Sequence, residues 1–528
     1  MSNFKNWLGS IALSSLFLFC ISSADLVNAE VPSEAKERHL TILHVNDVHG
    51  TVEPALAPNI STNSQVGGIS YLASLIKKVR KDNPYPTILL NGGDLAEGSM
   101  FAYLTRGVSY CKALGSLRFD GVALGNHDFA WGQEALDKMI EALDSPVLLS
   151  NVQHLSDGMT YKNTEPYRII DVDGLKVGIL GLDTPDIRHF IAEFKLEDLE
   201  FRQSADTVRY YLPLMRKAGA DLIVVLSHIG YEEDIKLAQE VPGIDLIVGG
   251  HSHTPIPNGK IVNNTMIVQA GFKTQYLGKV DITLNLSDVW NITDVKAQLI
   301  PVICSELTPD PEVEAILKPY REEAEKIGSE ICGQASEDVL YAHREAAKLN
   351  QIHADSILQA AKENRPTLPG FDLPGEEKPL FGICNSRSLR GNISKGPILY
   401  KELYSSLPFT EENYVTMKVK GQAVIDEIED DLCDKATELA VPCGLIYKYS
   451  SKRPERSRLL EVKLLDGTPL DPEKEYVIVS NETMSRKPAF KDAKDKRVLG
   501  PVQPLYFEAI KKLSPLRNTP DQRVVRVD

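Results

Sequence analysis

The chain has 528 residues, 43% hydrophobic and 25% charged. That is enough for two domains that each bury a core, and ordinary for a soluble globular protein. Its net charge of −15 argues against nucleic acid polymers or anionic membranes as partners through bulk electrostatics, so an anionic small molecule would have to be drawn by local cations.

At the N-terminus, Lys5 precedes the apolar stretch IALSSLFLFCISS, and Val27 to Ala29 offers a cleavage site before Glu30, which predicts a signal peptide over 1–29. The stretch is too short to span a bilayer. Phe19 stands where a lipoprotein signal at Cys20 would want a small residue, and no hydrophobic tail follows Arg523 to Asp528. The expectation is export to an extracellular or periplasmic space, with no stable membrane anchor.

From Leu40 to about Ile256 apolar runs alternate with helix-length segments. TILLNGG, GVALGN, VGILGL and DLIVVLS read as buried strands, and GGISYLASLIKKVRKDN and the segment Gln203 to Lys217 as amphipathic helices. This alternation predicts a largely parallel sheet with helices outside. Five segments, LHVNDVHG, LLNGGD, ALGNHD, VLSHIG and IVGGHSH, each stop an apolar run at Gly, Asn or Ser and then present His or Asp. One such piece would be turn chemistry. Five in order, at the strand ends where open α/β sheets gather ligands, predict a metal site built from Asp47, His49, Asp94, Asn126, His228, His251 and His253. Imidazole, carboxylate and amide oxygen with no cysteine nearby suit divalent ions of the Zn, Mn or Fe type.

After His253 the pattern turns to hairpin-like strands, MIVQAG and KVDITLNL. Charged residues at helical spacing then predict a linker helix within 306–332, between a catalytic domain over 36–305 and a second domain over 333–528. That second domain opens on the helix AAKLNQIHADSILQAAKEN. Six cysteines remain outside the leader, and Cys433 and Cys443 could staple the loop around DKATELAVP; buried free thiols are the other reading. Asn59, Asn263, Asn285, Asn291, Asn392 and Asn481 lie in glycosylation sequons, which matter only in a eukaryotic source. Oligomeric state is not legible.

The five metal segments, followed by NSRSLRGNISKG and LYSSLPF, resemble the 5′-nucleotidase family of the calcineurin-like metallophosphoesterase superfamily over nearly the whole mature chain. The resemblance implies an α/β fold, a four-layer α/β/β/α sandwich followed by a smaller α+β substrate-binding domain. It implies a secreted enzyme with two divalent metal ions that hydrolyses phosphate monoesters, nucleoside 5′-monophosphates or related nucleotides foremost. By resemblance Asp94 bridges the metals, Asp47, His49 and His253 complete one site, and Asn126, His228 and His251 complete the other. His127 matches the family's catalytic non-ligand histidine, and Arg344, Asn385, Arg390 and Phe409 match its substrate-binding positions.

Three departures qualify this reading. The family spells GNHEFD, its last Asp orienting the histidine, but here Ala130 takes that place. Either another carboxylate assists His127 in catalysis, with Asp128 the nearest in sequence, or the histidine works alone. The family's middle glycines are replaced by Ser386, Arg387 and Ser388, which adds a charge to the substrate-binding set at Arg387. The GGDGF element with its second stacking ring is missing, leaving Phe490 as the aromatic candidate. A phosphatase for a phosphosugar or other non-nucleotide phosphate is the alternative, and a non-catalytic binding protein that keeps the fold is the reading of another class. Against the latter, all seven ligand positions are filled.

Overall fold

Strand residues point alternately to opposite faces, and that alternation decides the layering here. The computed structural model describes residues 36–286, 290–363, 380–410 and 412–528; the expected leader over 1–29, with Cys20, lies outside them. In the strand Lys36–Val45, Leu40 and Ile42 turn to one face and Leu43 and Val45 to the other. The strand Leu222–His228 does the same, with Leu222, Val224 and Leu226 against Ile223 and Val225. The first member of each set meets in one core between two sheets. The second members carry helices, Ile69–Asp82 and Gln133–Leu143 on one sheet, Ser204–Lys217 and Tyr231–Glu240 on the other.

The result is the four-layer α/β/β/α sandwich, as expected. One six-stranded sheet runs Trp290–Pro301, Tyr276–Leu286, Lys36–Val45, Thr87–Asn91, Gly121–Ala123, Val147–Leu148. The other runs Lys260–Val262, Thr265–Val268, Leu246–Val248, Leu222–His228, Leu175–Asp183, Tyr167–Val172. Their central strands pair in parallel, so several carboxyl ends open on one side.

The helix Pro311–Gly328 is capped by Asp310, whose side chain accepts from the Glu312 and Val313 amides. It is more than a linker: Val313 and Leu317 are buried in the same core as Met100, Phe101 and Tyr404. The C-terminal part is built on a five-stranded sheet in the order Ala440–Cys443, Phe381–Asn385, Glu475–Asn481, Asn413–Lys420, Lys494–Pro501. The helix Lys348–Glu363 packs against its strands Ala440–Cys443, Phe381–Asn385 and Glu475–Asn481, and the helix Gly421–Asp431 shares a second core with Phe381, Met417 and Ile478.

All six described cysteines are free. The Cys433 thiol donates to the Glu429 carbonyl, and Cys443 is fully buried, so the stapled loop is not formed. Asn481 is also buried, with its amide on Glu412 and Ser388, which leaves no place for a glycan. No helix among the described residues is long and apolar enough to cross a membrane.

Candidate metal centre

All seven expected ligands converge where the strands end. Five of them, Asp47 (φ 50°), His49 (48°), Asp94 (56°), His251 (72°) and His253 (57°), have left-handed backbone, a region side-chain-bearing residues seldom enter. The chain is held there by loop-to-loop hydrogen bonds: the Asp47 amide donates to the Gly93 carbonyl at 2.9 Å, and the His49 amide to that of Asp94 at 3.0 Å. Gly125 has a local reason too. A Cβ there would sit 2.3 Å from Asp94 Oδ1 and 2.5 Å from His228 Nε2.

Backbone carbonyls fix the histidine tautomers. His49 Nδ1–H donates to the Glu97 carbonyl at 2.8 Å and His228 Nδ1–H to the Gly92 carbonyl at 2.6 Å. Their Nε2 atoms then face Asp94 Oδ2, at 3.6 and 3.2 Å. A carbonyl behind an imidazole is the usual means of aiming a metal ligand. Asp47, His49, Asp94 and His253 hold four candidate ligand atoms within 4.8 Å of one another. On the other side of Asp94, the His251 ring bonds Asn126 Oδ1 through Nδ1 at 2.8 Å, and the rings of His228 and His251 meet at 5.3 Å. Asn46 braces the centre, donating to Asp47 Oδ2 and to the Gly271 carbonyl, both at 2.7 Å.

The electrostatics suit cations. Burial pushes the His49 imidazole down to about 3, and burial likewise holds His251 and His253 well below the usual histidine range, so their lone pairs stay free. His49 Nε2 and His253 Nε2 stand 3.0 Å apart, close enough to face one cation. At His228 burial opposes charge, but Asp94, Asp47 and Asp183 outweigh it and the group shifts upward. Its Nε2 is buried without a hydrogen bond. Proton and metal are alternatives on that one lone pair. The donor set fits divalent ions.

His127 is not left unassisted. Its Nδ1–H donates to Glu97 Oε2 at 2.5 Å, its amide donates to Asp94 Oδ1 at 3.0 Å, and its ring lies against Phe409 at 5.6 Å. Asp128 was the nearest candidate by sequence, and the structure corrects it. Its carboxylate accepts the backbone amides of Asp94 (3.1 Å), Leu95 (2.8 Å) and Gly125 (2.9 Å), so it clamps two loops and does not meet the imidazole. Glu97 was missed by sequence reasoning, though an acid three residues after Asp94 was its available signal.

The C-terminal residues divide. Asn385, Arg387, Arg390 and Phe409 line a cavity of about 470 Å³ that also exposes Asp94, Asn126, His127, His251 and His253. The Arg390 guanidinium lies 4.8 Å over the Phe409 ring, and Arg387 reaches Thr437 Oγ1 at 3.2 Å. Asn385 Oδ1 accepts the Arg387 amide and shapes this turn. Arg344 does not join them: it donates to carbonyls of Cys433, Asp434 and Ala436 and ties that loop down. Phe490 is buried in the C-terminal core, so it is no second stacking ring. The same cavity is also lined by Glu438, Arg486 and Lys487, and by the half-exposed Phe190.

Residues 40–255 match the calcineurin-like phosphoesterase model and residues 332–489 the 5′-nucleotidase C-terminal domain model. The chain is 27% identical to the NAD 5′-nucleotidase of Haemophilus influenzae, over 89% of this chain and 88% of that one. It is 26% identical to the snake venom 5′-nucleotidase of Crotalus adamanteus, over 83% and 80%. Against two longer Bacillus subtilis relatives it spans 40% and 30% of their length. Its fold is that of the 5′-nucleotidase precursor from Thermus thermophilus, with a TM-score of 0.78 at 23% identity, covering 93% of this chain and 99% of that one. With the two domain models matched in tandem, and a relative aligned over most of both lengths, the chain belongs to the 5′-nucleotidase family of the calcineurin-like metallophosphoesterases.

Proposed function

We propose that the protein is an exported two-metal phosphoesterase that hydrolyses nucleoside 5′-monophosphates or related nucleotides. The observation that carries this reading is the approach of His49 and His228 to the single carboxylate Asp94, each aimed by a carbonyl behind it. A carboxylate so placed screens two cations from each other. Asp47, His49 and His253 with Asp94 would hold one ion, and Asn126, His228 and His251 with Asp94 the other. Bound ions supply charge neutralisation at a phosphoryl group and acidify water.

The remaining work falls to this chain's own groups. His127, at the cavity wall, gives a proton from Nε2 to the oxygen that leaves phosphorus. Arg387 and Arg390 offer planar donors to anionic oxygens of the substrate, and Phe409, half-buried, offers a ring to a base. The names of the relatives, 5′-nucleotidases acting on NAD in one case, agree with a nucleotide.

Metal-loaded protein is expected to release phosphate from AMP, GMP or UMP. Chelation should abolish this release and added Mn²⁺ or Zn²⁺ should restore it. No release from any monoester at full metal occupancy would reject the hydrolase reading. Substrate choice has its own test. Phe409→Ala should weaken kcat/KM for nucleotides by about ten- to a hundredfold, the roughly 1–3 kcal/mol of one stacked base, and leave sugar phosphates nearly untouched. Equal losses for both classes would mean that Phe409 only supports His127 and Arg390, which it touches.

A further inference from the structure

The carboxylate missing at position 130 has a counterpart on another loop. Glu97 is 4% exposed, and its Oε2 receives the Nδ1–H of His127 across 30 residues of sequence. Two other acids close to His127 are already engaged. Asp128 is engaged by three backbone amides, and the Asp94 carboxylate takes the His127 amide while facing His49 and His228. Glu97 is not itself among the clustered ligand atoms. Its backbone adds a second duty, since its carbonyl takes the Nδ1–H of the ligand His49. The neighbouring Gly98 lets the loop come this close: a Cβ there would lie 2.8 Å from the His49 carbonyl.

We propose that Glu97 is the positioning carboxylate of this enzyme, holding His127 with Nδ1–H toward itself and Nε2–H toward the leaving oxygen. The inference rests on the phosphoesterase reading above. In the step it supports, a water oxygen bonds to phosphorus and loses its proton to solvent. The bond from phosphorus to the leaving oxygen breaks, and its electron pair stays on that oxygen, which takes the proton from His127 Nε2. Glu97 acts in this step through the imidazole that it holds. The carboxylate that orients the proton donor therefore rides on the loop that carries Asp94.

The test compares two leaving groups. AMP needs a proton on its departing alkoxide, whereas p-nitrophenyl phosphate releases a stable phenolate. In Glu97→Gln, kcat for AMP should fall on the order of 10²-fold with KM nearly unchanged, and kcat for p-nitrophenyl phosphate by less than about tenfold. Metal content should stay at the wild-type ratio. Glu97→Asp, which keeps the charge, should retain more AMP turnover than Glu97→Gln, and Ala130→Asp added to Glu97→Gln should recover about tenfold. An unchanged kcat in Glu97→Gln overturns the proposal, and so do equal losses on both substrates accompanied by lost metal. Inactivity of the metal-loaded wild type toward every monoester would instead overturn the phosphoesterase reading, which the variants leave alone.

Discussion

Asp94→Asn is expected to fold and to lose phosphate release by on the order of 10³-fold or more, about 4 kcal/mol of transition-state stabilisation. The side chain is buried, and Oδ1 accepts the His127 amide while Oδ2 faces His49 and His228. Asparagine keeps the volume and one acceptor for that amide, so the loop contact survives. What it loses is the negative charge between two cation sites. Removing one member of a buried charge cluster leaves the rest uncompensated, so metal content should fall below two ions per chain. The measurement is phosphate release at physiological metal concentration beside metal stoichiometry by mass spectrometry. Turnover near the wild-type rate under those conditions would sink the two-metal reading.

His127→Asn should lower kcat by roughly 10²–10⁴ with metal content retained. The imidazole touches no metal-cluster atom through Nδ1, which is held by Glu97. The loss should exceed that of Glu97→Gln, because one change removes the donor and the other only its orientation. The ring also packs on Phe409 and edge-on against His49 at 5.1 Å, so thermal stability should drop slightly. If metal stoichiometry falls along with kcat, His127 is a ligand or a brace and its assignment as donor fails.

The residues that sequence reading placed well are those whose position is decided locally. Apolar period and a hard stop at Gly, Asn or Ser locate a strand end, and a parallel sheet brings such ends together whatever the loops do. Asp47, His49, Asp94, Asn126, His228, His251 and His253 all meet for that reason. Glu97 was passed over because its partner lies 30 residues on, and because an acid beside glycine reads as an exposed turn. Arg344 failed differently. Its place in the motif fitted, but where a long side chain points depends on what surrounds it, and the carbonyls of the 433–436 loop claim it. Phe490 sits in a stretch rich in Lys and Asp that reads as surface, yet the ring is drawn into the C-terminal core. The helix Pro311–Gly328 hid its role likewise: charges dominate its sequence, while Val313 and Leu317 lead the buried stripe.

The left-handed turns at Asp47, His49, Asp94, His251 and His253 bear on how such a centre can be inherited or copied. Conformations of this kind cost on the order of 1–3 kcal/mol each and persist only where the surroundings over-determine them. The positions of the ligands are therefore written in main chain, by amides of one loop gripping carbonyls of the next. Seven side chains transplanted to strand ends with ordinary turns would carry the right chemistry to the wrong places.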